Sequence, residues 1–174
     1  MNVEDGFCPT PAGAPLEVGV GTGANLPHYP PDVQLTIWTR VHACSISPAF
    51  VPSDSGSTSK SGSRTLSSST SPMTNFDTVT VTLVLSTVPD YRRAAAEIHR
   101  LLKPGGRLPI LDHVRSPTAP VRWMQQMIEP LVASYAGWHF TRDPLDYIES
   151  TGFTVEHCDR TRLGMIEELV ARKR

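Results

Sequence analysis

Leu16-Glu17-Val18-Gly19-Val20-Gly21-Thr22-Gly23-Ala24-Asn25 is the stretch from which the rest of the chain is read. Leu16 and Val18 flank an acid and read as the end of a buried strand. Three glycines at alternate positions then make a tight turn, beyond which a helix start is expected. Glycine is required where a side chain would block such a turn or hold the backbone away from a ligand. Free N–H groups at a helix start attract polar or anionic groups. The pattern is acidic-x-Gly-x-Gly-x-Gly. A dinucleotide-binding turn spaces its glycines G-x-G-x-x-G and keeps its ribose acid far downstream. Here the spacing is tighter, and the acid stands two residues before the first glycine. Taken alone, the stretch also fits an ordinary strand-to-loop turn.

The chain has 174 residues, enough for one domain with a core of its own. A net charge of -1 and a pI near 6.6 give no footing for electrostatic nucleic-acid binding. No apolar run is long enough to span a bilayer, and the first 13 residues lack the basic and apolar parts of a signal peptide. Cys8, Cys44 and Cys158 are scattered and odd in number, which points to free thiols and a cytoplasmic location. The six histidines show no H-x-x-x-H pairing, so no metal site is expected.

From Phe76 onward the periodicities are clear. Val79, Val81, Leu83 and Leu85 alternate with Thr80, Thr82 and Val84 as a β-branched strand. A turn over 86–90 ends in Asp90, a candidate N-cap, and 91–102 reads as a helix with Ala94, Ala95, Ile98, Leu101 and Leu102 on one face. Lys103-Pro104-Gly105-Gly106 stops it, and 107–112 makes another strand ending in Asp112-His113-Val114. A helix is expected over 121–135 with Met124, Met127, Ile128, Leu131 and Val132 inward. Thr141-Arg142-Asp143-Pro144 opens a further helix, with proline at an early position and Gly152 as its cap. Phe153, Val155 and residues 169–172 read as a closing antiparallel pair.

The glycine turn with its leading acid, followed by strand, helix, L-K-P-G-G and strand, resembles the class I S-adenosylmethionine (SAM)-dependent methyltransferases of the type 11 branch. The tail, with its D-H-V and G-x-H-x-x-R-D, looks like the small-molecule members. These include quinone-biosynthesis enzymes and membrane-associated thiol and lipid methyltransferase-like proteins. The resemblance covers 16–35 and 76–174. It implies an α/β, Rossmann-like sheet with flanking helices and SAM as cofactor. It places Glu17, Gly19, Gly21, Thr22, Gly23 and Leu85 at the cofactor, and implies methyl transfer to a small or lipidic molecule.

Two departures stand against that pattern. Residues 1–15, with Gly6, Pro9, Pro11, Gly13 and Pro15, read as a loose leading segment where such proteins carry a covering helix. Val33, Leu35 and Ile37 alternate as a second strand, but Trp38-Thr39-Arg40 follows where an acid should grip the ribose. The span 41–75 departs further, leaving the sheet incomplete around strands two and three. Within it, 51–74 holds ten serines and four threonines without a period, the composition of a low-complexity, mobile tract. A structureless loop of that length does not suit a compact domain. Codon arithmetic offers an origin. Reading the last base of one codon with the next two turns Trp38-Thr39 and Met73-Thr74 each into Asp. The first becomes the hydrophobic-Asp-small run the family has after strand two. We therefore read about 37–75 as either a genuine insert or a segment translated out of frame, in which case the chain is impaired.

The candidate chemistry is sparse. The SAM sulfonium is already a good leaving group, so the protein needs mainly to hold the acceptor in line. His113, just past a strand end, is a base, a substrate contact or a structural histidine. His139 and Arg142 contact substrate or cap the helix at Asp143. Trp123, Met124, Met127 and Trp138 line an apolar acceptor pocket or belong to the core. Arg172-Lys173-Arg174 reads as a solvated tail.

Overall fold

Val79 and Val81 alternate with Thr78 and Thr80, and that period builds the central strand. All four side chains are buried, so the strand lies inside the sheet with both faces covered. The computed structural model describes residues 13–30, 32–38 and 76–174. The segments 1–12 and 39–75, including Thr39, Arg40, Cys8, Cys44 and the serine-rich tract, lie outside the described residues. In chain order the elements are β1 (Pro15–Val18), β2 (Thr36–Trp38), β3 (Phe76–Thr82), α1 (Tyr91–Leu101) and β4 (Leu102–His113). Then follow α2 (Ala119–Ala136), α3 (Pro144–Ile148), β5 (Phe153–Thr161) and β6 (Ile166–Lys173).

The sheet order is β2-β1-β3-β4-β6-β5. The first four strands run parallel and β6 runs antiparallel between β4 and β5, the α/β, Rossmann-like sheet with flanking helices expected from the sequence. Alternate residues on one face make the core: Leu16 and Val18 of β1, Val79 and Val81 of β3, Leu108 and Ile110 of β4, Leu169 and Ala171 of β6. Against them lie Ala94, Ala95, Ile98 and Leu101, the predicted face of α1, with Tyr147 and Ile148 of α3. Asp90 caps α1, its Oδ1 accepting from Arg93 N at 2.9 Å. At the other end of α1, Lys173 Nζ donates to the carbonyls of His99 and Leu102.

Four local expectations are corrected. Beyond the glycine turn there is one 3-10 turn, Leu26–His28, and no helix start, because Pro27, Pro30 and Pro31 cannot continue one. Val33 and Leu35 precede β2, which among the described residues holds Thr36, Ile37 and Trp38. Lys103-Pro104-Gly105-Gly106 belongs to β4 as an irregularity, where Phe76 pairs with Leu102 but Thr78 with Arg107. The inward face assigned to α2 points out instead. Met124, Met127, Ile128 and Leu131 are 48, 63, 42 and 73 % exposed, and Val132 is half-buried. Apolar period shows only that a face can be buried. Here Gln125 fixes the rotation of the helix, accepting from Ser116 N and donating to the carbonyl of Val114 while itself buried.

Candidate active site

From β1 the chain passes to β2 on one side of it and returns to β3 on the other. The strand order therefore reverses between β1 and β3, and α/β folds bind ligands outside the carboxyl ends of the strands at such a point. Two loops border that crevice: the glycine turn after β1 and the loop 83–90 after β3.

The three glycines of the turn all take positive φ: 76° at Gly19, 52° at Gly21 and 82° at Gly23. They do different work. A Cβ on Gly19 would sit 2.1 Å from Val84 Cγ2, so this glycine lets the two loops touch. A Cβ on Gly21 would meet nothing nearer than the Gly19 carbonyl, an ordinary contact at 3.8 Å, so Gly21 is not pressed against the other loop. Thr22 lies beside it, exposed. Gly19 N donates to the Trp38 carbonyl at 2.7 Å, which ties the end of β2 to the turn.

Glu17 faces away from the core, opposite Thr80 in register, and is completely buried. Its Oε1 accepts from Asn25 Nδ2 at 3.0 Å, and the same amide donates to Thr82 Oγ1 at 2.8 Å. Glu17 thus acts first as a brace from β1 through Asn25 to the end of β3. Its Oε2 is buried and makes no hydrogen bond of ordinary geometry among the described residues. Burial pushes the carboxyl above its usual range, outweighing the Asn25 bond and the neighbouring Tyr29 hydroxyl.

Beyond β3 the chain leaves the strand at Leu83, a non-glycine residue with φ 55° whose N donates to the Leu111 carbonyl. Leu85 is 1 % exposed and packs in the core, so its side chain backs the crevice from behind. Asp112 near the end of β4 anchors the loop. It is fully buried, with Oδ2 accepting from Ser86 N at 3.1 Å and Oδ1 from His113 N at 2.8 Å. Burial still raises this carboxyl above its ordinary range. Across the sheet Asp112 is in register with Glu167, and Glu167 with Arg160. Arg160 bridges Glu167 and Asp143. The apolar rows of the core therefore end in a charged row at this edge of the sheet.

The segment after α2 closes over the same loop. His139 N donates to the Ser86 carbonyl at 2.8 Å, and His139 Nδ1 lies 3.4 Å from Glu129 Oε1. Arg142 neither caps α3 nor forms an ion pair among the described residues; Asp143 is the N-cap residue there. Its guanidinium donates to the carbonyls of Leu85, Val88 and Pro89 and lies over the Tyr91 ring, 4.7 Å from the centroid. His113 is half-buried with Phe140 edge-on at 5.4 Å, and Phe140 meets Trp138 at 6.2 Å. An aromatic run Trp138-Phe140-His113 results. Trp123 and Met127 stand exposed on α2, in no core.

The structure thus brings Glu17 and the glycines together with the loop 83–90, and brings His139 and Arg142 onto that loop from the other side. Asn25, Ser86, Asp112 and Glu129 are the participants that pattern reading did not single out. Asn25 was visible as a polar residue closing the glycine turn, and Asp112 as the acid of D-H-V. Among the described residues no cluster of His, Cys, Asp and Glu is disposed to hold a metal. No helix among them is long and apolar enough to cross a membrane.

Comparison with known proteins gives the arrangement a context. The family described as "Methyltransferase domain" matches residues 16–110. Thiol S-methyltransferase TMT1B of Rattus norvegicus is 31% identical over 154 residues, covering 80% of this chain and 59% of that protein. Phosphatidylethanolamine N-methyltransferase of Cereibacter sphaeroides is 28% identical over 149 residues, covering 80% and 73%. The chain thus spans about three fifths of the length of the first of these relatives. Among solved structures, N-methyltransferase NodS of Bradyrhizobium japonicum in complex with S-adenosyl-L-homocysteine has TM-score 0.63 at 20% identity, covering 92% of this chain and 77% of that one. The cyclase SpnF has TM-score 0.66 at 19% identity, covering 94% and 75%. A cyclase on the same fold means that the fold alone does not decide the reaction.

Proposed function

This chain belongs to the class I SAM-dependent methyltransferases, and we propose that it moves a methyl group to a small or lipidic acceptor at the crevice between the glycine turn and the loop 83–90. The observation that carries the reading is Gly21. It holds a positive φ, with nothing nearer than 3.8 Å to where a Cβ would stand, at the switch point between β1 and β3.

The residues present fit the cofactor. The backbone of Gly19, Gly21, Thr22 and Gly23 would cradle its methionine end, with the buried Glu17 carboxyl beneath as acceptor for its ammonium. The loop around Leu85 would form the opposite wall. When bound, SAM supplies a methyl on a sulfonium, already activated for displacement. The chain's contribution is then proximity: the two loops fix one reactant, and the segment 113–142 presents the other in line. Trp138, Phe140 and His113 form an apolar, aromatic approach on that side, with Met127 exposed on the neighbouring helix. The named relatives act on a thiol and on phosphatidylethanolamine, so we assign the acceptor to thiols or amines on small or lipidic molecules. A thiol needs little help to lose its proton, and His113 or His139 suffices for a weaker acid.

A second reading, a non-catalytic remnant without SAM affinity, is favoured by one observation: β2 ends in Trp38, where an acid would take the ribose hydroxyls. Two charge-assisted hydrogen bonds are worth roughly 1.5–3 kcal/mol each, so their loss weakens SAM on the order of a hundredfold or more. Calorimetric titration of SAM into two proteins separates the readings. One is the chain as it stands; the other carries 37–75 in the shifted reading frame. Weak binding that tightens on restoring the frame supports an impaired methyltransferase. No binding by either supports the remnant. Low-micromolar binding by the present chain removes the out-of-frame account.

A further inference from the structure

We propose that Arg142 is a positioning residue for the cofactor crevice: it holds the loop 84–89 from the acceptor side and so couples the two halves of the site. The proposal rests on the cofactor reading above.

The observations are geometric. Three carbonyls of one short loop, those of Leu85, Val88 and Pro89, converge on a single guanidinium. Two further bonds fasten the residue between them: Ser86 N donates to Asp112, and the Ser86 carbonyl accepts from His139 N. Thr87 N and Val88 N turn back to the Val84 carbonyl. The loop's polar backbone is thus largely spent on the protein interior, and its position follows from where Arg142 and Asp112 stand.

That position matters at the other loop. Val84 is the residue against which Gly19 packs, the Cβ position of Gly19 lying 2.1 Å from Val84 Cγ2. A shift of 84–89 therefore moves the wall on which the glycine turn rests. Arg142 itself belongs to the acceptor side: its carbonyl accepts from Arg115 N, and it follows Trp138, His139 and Phe140 closely in the chain. A planar guanidinium can reach several carbonyls at once; a lysine ammonium is a compact point donor on a flexible stem. Its place over the ring of Tyr91, the first residue of α1, fixes the guanidinium further. Arrangements that two sites share in this way couple them reciprocally.

The test compares wild type with Arg142→Lys and Arg142→Gln, each checked for a cooperative melt. Affinities for SAM and S-adenosylhomocysteine are measured well below the melting temperature, and amide exchange is followed with and without S-adenosylhomocysteine. We expect 84–90 to exchange faster in both variants while α1 and β6 keep their protection. Ligand affinity should fall roughly tenfold. In wild type the ligand should also slow exchange over 137–142, and that effect should vanish in Arg142→Gln. A lower melting temperature with unchanged affinity would make Arg142 merely structural and overturn the proposal. So would unchanged exchange at 84–90. If wild type takes up neither ligand, the cofactor reading fails and the coupling with it, while exchange in ligand-free protein still reports whether the clamp exists.

Discussion

Replacing Gly19 and Gly21 in turn should separate stability from ligand binding, although the two glycines lie two residues apart in one turn. At Gly19, alanine faces two costs. Holding an L-residue at φ 76° costs about 1–2 kcal/mol. A Cβ placed 2.1 Å from Val84 Cγ2 forces a stiff, β-branched neighbour to move, an overpacking cost of about 1–3 kcal/mol. Gly19→Ala should therefore lose about 2–5 kcal/mol by urea unfolding. Adding Val84→Ala should return the overpacking part and leave the backbone part. Gly21→Ala carries only the backbone cost, about 1–2 kcal/mol, since its Cβ meets only the Gly19 carbonyl at 3.8 Å. Its effect should fall on SAM affinity, and Gly21→Val should abolish binding by filling the space the methionine end needs. Urea unfolding and calorimetric titration at one low temperature read both quantities. Equal stability losses at the two positions, no rescue by Val84→Ala, or full SAM affinity in Gly21→Val would refute the reasoning.

Two other perturbations test separate parts of the structure. Glu17→Gln keeps an oxygen for Asn25 and removes a buried charge. The folded pKa of Glu17 is raised above 4.5, so its contribution is fully present below pH 4.5 and is lost as pH rises through the folded value. The variant should match wild type near pH 4 and exceed it in urea stability at neutral pH, while binding SAM less well. An equal gain at both pH values would contradict the assignment. In the turn between β5 and β6, Leu163 holds φ 60° and is 70 % exposed, so Leu163→Gly should raise stability by about 1 kcal/mol in thermal unfolding; a loss would show that its side chain packs more than its exposure indicates.

The parts of the fold legible in the sequence are those whose cause is local. Alternation in β3, the apolar face of α1, Asp90 as its cap, and proline at the start of α3 each leave a periodic or positional trace, whereas Gly152 caps the 3-10 turn Glu149–Thr151 after α3 and not α3 itself. The rotation of α2 left no trace, because it is set by Gln125 hydrogen-bonding two backbone groups, and a helix's apolar stripe does not say what lies opposite. β2 was overestimated for a related reason. Val33 and Leu35 keep the strand period, but only Thr36, Ile37 and Trp38 find partners on β1. At the site, the glycine turn and Glu17 were readable as a motif. Asn25, Ser86 and Asp112 were not singled out, since their partners lie across the sheet or in another loop. Arg142 stands out in G-x-H-x-x-R-D as a substrate contact or a helix cap, and its hold on the loop leaves no trace there, because its partners are carbonyls, which every residue has.

The Arg142 carbonyl clamp carries a consequence for how such sites diverge. A contact to main-chain oxygen is blind to the side chain that bears it. Residues 87–89 can therefore be exchanged by mutation, reshaping what the crevice accepts, without loosening the grip that holds them in place. Descendants that change acceptor should keep an arginine opposite this loop while the loop's own letters drift. Arg142, whose replacement disturbs every variant of the loop alike, stands more than fifty positions away in the chain, 54 from Val88.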